Sequence, residues 1–200
     1  MTTAKFIAAI LTIFLLLSCS KTHRLTDADY AWMPYRGSET LVFTSNTGAV
    51  DTIFFVKKDT LLAYPEAQSM NGIKYEVVSI ACKHTNKTSD GYRYLENALV
   101  ELKKSKDGKA RLQIHLSTKD ATFYKIAGSR IDSLENIKPT NLRVNDKTYN
   151  DVYVIDDEDW LDFKQRDDYV TKVYWSKTEG IVRYDKQDGS HWELTNKYSL

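Results

Sequence analysis

The chain has 200 residues, 42% of them hydrophobic and 28% charged, with a formal net charge of +1. That length fits one domain around one core, and the composition excludes a disordered or fibrous chain. The near-neutral balance supplies no basic field of the kind that replaces counterions on nucleic acid, so nucleic acid is not the expected partner.

The chain opens on a signal. Lys5 gives a short basic start, and residues 6–17 form an apolar run in which only Thr12 is polar, a signal-peptide core by length and flank. As a helix this run spans roughly 18 Å against roughly 30 Å of hydrocarbon, too short for a comfortable membrane span. Leu16, Leu17, Ser18 and Cys19 follow it in an order that resembles the bacterial lipobox. The resemblance implies that Cys19 is alkylated with a diacylglyceryl group, becomes the new N-terminus and carries palmitate-like chains. Each buried methylene then adds about 0.8 kcal/mol of membrane affinity, and two or more chains hold stably. The plainer alternative is a conventional secretory signal cleaved near a stray cysteine. Without residues 1–18 the 28 Lys and Arg lose Lys5 and match the 27 Asp and Glu. Cys82 is then the remaining cysteine, so no intramolecular disulfide is expected, and its apolar setting in "YEVVSIACKH" suits an inert thiol.

Residues 19–39 read as the lipidated N-terminus and a tether. Within it Tyr30, Trp32, Met33 and Tyr35 in "DYAWMPYRG" are costly to leave in water, and the cluster is expected to pack on the body of the protein. Residues 40–200 read as one antiparallel β domain. "LVFTSNTGAVDTIFFVKKD" forms a hairpin about Asn46, Thr47 and Gly48, and apolar residues in both phases of its second arm predict a strand covered on both faces. "GIKYEVVSIACKH" and "RYLENALVELKK" continue as strands, although Leu95, Leu99 and Leu102 also permit a helix. A turn at Asp107 and Gly108 leads to a strand with Ala110, Leu112, Ile114 and Leu116 on one face. "SRIDSLENIKPTN" predicts a short helix ended near Pro139, and Asn145 with Asp146 a turn. The last three strands form a meander on loops at Gly180 and Gly189. The expected fold is therefore all-β, a predominantly antiparallel, strongly curved sheet or partly closed barrel with at most short helices.

The succession "NDVYVI", "VTKVYWSKTEGIVRY" and "DGSHWEL" resembles the C-terminal half of a family of small envelope lipoproteins from Bacteroidota, a family that brings no known activity with it. Acidic residues after the lipidated cysteine mark some outer-face lipoproteins of that group. Ser20, Lys21, Thr22, His23 and Arg24 include none, so the resemblance implies a periplasm-facing position.

Motifs for catalysis, metals or cofactors are missing: no nucleophile elbow, zinc helix or phosphate-binding loop is present, and no cofactor is expected. His23, His84, His115 and His191 lack ligand spacing. Asp188, Ser190 and His191 in "DGSHW" read as a turn rather than a triad. Asp156, Asp157, Glu158 and Asp159 read as a solvated acidic loop without EF-hand spacing, and Lys103, Lys104, Lys106, Lys109, Arg111, Lys119, Lys125 and Arg130 as a basic stretch opposite it in sign. Tyr149, Tyr153, Tyr174, Trp175, Tyr184 and Trp192 are the candidate ligand-facing aromatics, able to line an apolar concavity for a lipid-like or peptide ligand or simply to fill a core. The expected function is that of a non-catalytic, membrane-anchored envelope protein binding such a ligand. The alternatives are an accessory subunit that meets another envelope protein without any cavity and, more remotely, an envelope-polymer hydrolase with paired carboxylates in a cleft.

Overall fold

Where apolar and polar residues alternate, the chain forms strands, because that spacing puts one face in the core and one in water. The computed structural model describes residues 21–64, 72–88, 91–118, 121–123, 125–158 and 165–199, and for 84–88 and 91–97 the backbone alone; Cys19 and the signal stretch lie outside these. In chain order the strands are β1 (Thr22–His23), β2 (Glu39–Ser45), β3 (Val50–Ala63), β4 (Lys74–Thr88), β5 (Gly91–Lys104), β6 (Ala110–Ile114), β7 (Thr122–Phe123), β8 (Ser129–Arg130), β9 (Thr140–Val144), β10 (Lys147–Asp156), β11 (Tyr169–Ser176), β12 (Gly180–Lys186) and β13 (His191–Ser199). The helices are short: α1 (Asp27–Tyr30) and α2 (Ile131–Glu135).

All these strands join one sheet, eleven of them in the order β8-β6-β5-β4-β3-β2-β13-β12-β11-β10-β9, with β1 paired to β4 and β7 to β11 beside that path. The pairing along that path is antiparallel, and the sheet curls through 269° into an open half-barrel. Its middle is a non-local pair: β13 lies on β2 from Trp192↔Ser45 to Ser199↔Glu39, so the first long strand and the last are neighbours. The chain after β6 reaches over the opening, where β7 pairs in parallel with the start of β11 through Tyr169↔Thr122. Thr122 Oγ1 donates to Asp168 there at 2.6 Å.

The hairpin about Gly48, the helix at 131–135 and the C-terminal meander stand where the sequence places them. Residues 91–104 are strand, their backbone paired with β4 from Val77↔Lys103 to Thr88↔Gly91, which removes the helical alternative. The turn at Asn145 puts that residue at φ 51°, a conformation asparagine tolerates better than most side chains. The expectation for β3 needs correction. Only Ile53 and Phe55 are buried, while Val50, Phe54 and Val56 stand exposed on its outer face, because a single-layer curled sheet has one packed side.

The core fills the concave side. Leu41, Phe43, Ile53, Val78, Ile80, Leu102 and Leu112 meet Val173, Trp175, Ile181 and Tyr184 in one cluster. Cys82 is buried among them.

Candidate functional site

The inner face of the β10–β13 region holds five of the six aromatics singled out by the sequence. Register pairs Tyr153 with Trp175 and Tyr184 with Val173 and Trp192, which aligns them on one side of the sheet. Trp175 and Tyr184 are fully buried, and Tyr149, Tyr153 and Trp192 nearly so. Tyr174 is the exception. It pairs with Arg183 on the outer face, where its hydroxyl donates to Asp185 at 2.8 Å and Arg183 lies over its ring. Burial and that hydrogen bond push the Tyr174 phenol up to about 12.

What the inner aromatics face is the protein's own N-terminal segment. Thr26 caps α1 in a capping box with Asp29, and Lys104 binds the same carboxylate at 2.6 Å. Burial raises the Asp29 pKa, but the bonds from Lys104 and Thr26 outweigh it and hold the group below its usual value. From this fixed helix the chain turns inward. Trp32 packs on Tyr153 with ring centroids 4.7 Å apart, donates Nε1–H to Glu135 of α2 at 3.2 Å and carries the Lys177 ammonium over its ring. Tyr35 stands edge-on between Phe55 and Trp175. Its hydroxyl oxygen accepts the Ile181 backbone N–H at 2.7 Å, and burial pushes its pKa far up. Trp32 and Tyr35 are 0% and 1% exposed, so the concave side is occupied by a plug from the same chain.

The exit of the plug is equally fixed. Gly37 lies so close to Lys58 that a Cβ would stand 2.4 Å from the Lys58 backbone nitrogen. Glu39, buried at the start of β2, accepts the N–H groups of Arg36, Gly37 and Ser38 at 2.6, 2.7 and 2.9 Å. Burial raises its pKa, yet those donors win and hold it below the ordinary carboxylate range. Lys58 Nζ donates to the Tyr35 carbonyl at 2.9 Å. The stretch read as a tether is thus fastened to the body from Thr22 onward, and its aromatic cluster docks inside the curl. Docking was legible from the cluster's cost in water; Glu39 and Lys58, which hold it, carried no local signal, and Gly37 and Gly180 showed only as loop glycines.

The other candidates do not assemble into chemistry. His23 stacks on Tyr75, His115 lies 3.4 Å from Glu101, His191 lies 4.0 Å from Glu193, and the His84 side chain falls outside those described. Among the described residues no group of three or more His, Cys, Asp or Glu could hold a metal. Ser190 donates to Asp188 at 2.6 Å within its turn, whereas His191 approaches Glu193. In the acidic stretch, the Asp156 carbonyl accepts from Lys125, Asp157 from the Tyr169 hydroxyl, and Glu158 from the N–H groups of Ile126 and Ala127; Asp159 lies outside the described residues. The basic stretch is partly neutralised by Asp29, Asp107 and Asp132, which pair with Lys104, Arg111, Lys109 and Arg130; Lys119 also lies outside.

Open space remains on the surface. A groove of about 530 Å³ runs between β6 and the 122–126 segment, lined in part by Ile114, Leu116, Phe123 and Ile126. On the outer face, Phe54, Thr40 and Tyr198 fall in one row across β3, β2 and β13, with Phe54 46% and Tyr198 56% exposed. Comparison with known protein families, curated proteins and solved structures finds no match.

Proposed function

We propose that this is a non-catalytic envelope lipoprotein, anchored through acyl chains on Cys19 on the periplasmic side, that acts by holding its outer sheet face against another envelope protein. The observation that carries the reading is the plug: Trp32 and Tyr35 fill the concave side, so recognition falls to the protein's exposed surfaces, of which the outer sheet face is the broadest apolar candidate for a protein. That face presents Val50, Phe54 and Tyr198 to solvent, the last two in one row across the sheet, and large exposed side chains on one sheet face suit a protein partner better than water. The experiment is photo-crosslinking in intact cells from a probe at Phe54. A discrete protein adduct, lost when Tyr198 is changed to Lys, is the expected result; a probe that captures no protein would sink the reading.

A second reading is favoured by the groove at Phe123 and Ile126. Its size and apolar lining suit one acyl chain or a short apolar peptide, so the ligand expected from sequence would sit there rather than among the buried aromatics. Native mass spectrometry of protein extracted from membranes decides this: a co-purifying ligand released by Phe123→Asp supports it, and a bare mass excludes it.

A further inference from the structure

We infer that the end of the half-barrel at which the chain enters lies flat on the bilayer and takes anionic phospholipid headgroups; this rests on the lipidation of Cys19 proposed above. The direction of the chain gives the first argument. β1 pairs in parallel with the start of β4, Thr22↔Lys74 and His23↔Tyr75, and the Lys74 N–H donates to the Lys21 carbonyl at 3.0 Å. β1 therefore runs into the barrel, and Lys21 stands at the end where β3 stops at Ala63 and β4 begins. The turn between β5 and β6 lies at the same end, with Gly108 beside the His23 ring.

Length gives the second. Three peptide links separate Cys19 from Thr22, a reach of roughly 10 Å at full extension. An acylated sulfur at the membrane interface then holds this end within about one Debye length of the headgroups. With β1 bonded to β4 there is no slack by which the domain could stand off.

Chemistry gives the third. Lys21 and Arg24 are exposed on the entering segment, and a groove of about 460 Å³ beside it is lined by Leu61, Tyr64, Tyr75, Val77, Lys103 and Lys106 among others. Apolar side chains from β3 and β4 face lysines from β5 and the turn beyond it, the pairing that suits a phosphodiester with the first methylenes of its chains. Leu61 and Leu62 are 48% and 40% exposed, and as consecutive strand residues they point to opposite faces, so the rim is apolar on both sides. Nearby carboxylates have partners within the protein: Glu76 accepts from the Leu25 N–H and the Tyr30 hydroxyl and lies 3.7 Å from Arg24, Asp107 at the surface accepts from Ser105 and Lys109, and Glu101, which lines the groove, lies 3.4 Å from His115. The turn at Asp188 and Gly189 lies at the opposite end, where the His191 N–H donates to Asn46 beside the start of β3.

The test uses the full lipidated chain, purified from membranes and placed in vesicles of phosphatidylethanolamine with a minority of phosphatidylglycerol. Dyes are attached at Leu62→Cys or Asp188→Cys; Cys82 is buried and does not compete. A nitroxide on the lipid headgroup should quench the dye at 62 about threefold or more over the dye at 188, since headgroup contact falls off within a Debye length. Arg24→Glu with Lys106→Glu, or vesicles without phosphatidylglycerol, should shrink that difference to what the short acyl tether alone maintains, while circular dichroism stays unchanged. Equal quenching at both positions on a chain whose intact mass includes the acyl groups overturns this orientation and leaves lipidation standing. A contrast that neither charge reversal nor removal of phosphatidylglycerol diminishes overturns the headgroup recognition. A bare thiol at Cys19 overturns both proposals.

Discussion

A methyl group built on Gly180 would stand 2.1 Å from the ring and hydroxyl of Tyr35, at a backbone φ of +89°. Gly48 has nearly the same φ, +87°, with nothing within 4 Å, so the two glycines separate backbone strain from contact. Gly48→Ala is expected to cost about 1–2 kcal/mol, the left-handed penalty alone. Gly180→Ala should cost a further ~1–3 kcal/mol for overpacking against a ring with nowhere to go, and parallel denaturant melts of the two variants check the difference. Glu39 makes a second prediction through pH. Its folded pKa is depressed, so its contribution is fully present above the unfolded carboxylate value and is lost as pH falls through the lower folded value. Glu39→Gln should cost about 1–3 kcal/mol at neutral pH, because one amide oxygen replaces a charged acceptor of three N–H groups. The gap between variant and parent should then narrow on acidification, as the parent's own carboxyl takes up its proton; a gap that widens would contradict the assignment.

The plug shows at the scale of elements what a linear pattern does and does not contain. "DYAWMPYRG" has too many aromatics to stay in water, and that much is local information. Which surface receives it is not, because Trp32 meets Tyr153 and Glu135, and Tyr35 meets Phe55, Trp175 and Ile181, partners up to 146 positions away. The same limit explains the aromatics of the last quarter. Alternation implies that some of them line the concave side and others its back, but whether the inner ones met a ligand or the protein itself depended on a segment near the other end of the chain. The strand β3 misled for a different reason: its outward Val50, Phe54 and Val56 look like core residues, and local sequence does not distinguish an apolar outer face from a covered one. Burial of an indole removes on the order of 150–250 Å² from water. Trp32→Ala should therefore cost ~3–5 kcal/mol as a core truncation. It should also open space beside Tyr153, read as binding of a hydrophobic dye that the parent does not take up; an unchanged melt and no dye binding would mean the segment rests on the surface.

At the scale of the molecule, the sheet is organised by one pairing that no short-range signal announces, β13 on β2, which brings the two long hairpin regions into a single curl and leaves its outside as the available surface. Curvature from twist, short turns and successive antiparallel strands was legible, since each is a consequence of local chemistry; the order of strands at the middle of the path was not. The functional proposal lives on the outer face, and it separates cleanly from stability. Phe54 and Tyr198 are about half exposed, so replacing both by Lys removes little buried area and should change the unfolding free energy by no more than about 0.5 kcal/mol each. The same double variant should lose its crosslinked partner in cells, because a lysine in a desolvated contact carries an uncompensated charge. Cys19→Ser supplies the matching control at the other end of the argument. Cys19 precedes the fastened part of the chain, so the variant should melt like the parent yet move from the membrane to the soluble fraction. Loss of the partner in the Lys variant while it remains membrane-bound, together with loss of membrane binding in the Ser variant while it remains folded, assigns recognition and anchoring to separate parts of the chain; a Lys variant that unfolds, or that keeps its partner, would place recognition elsewhere.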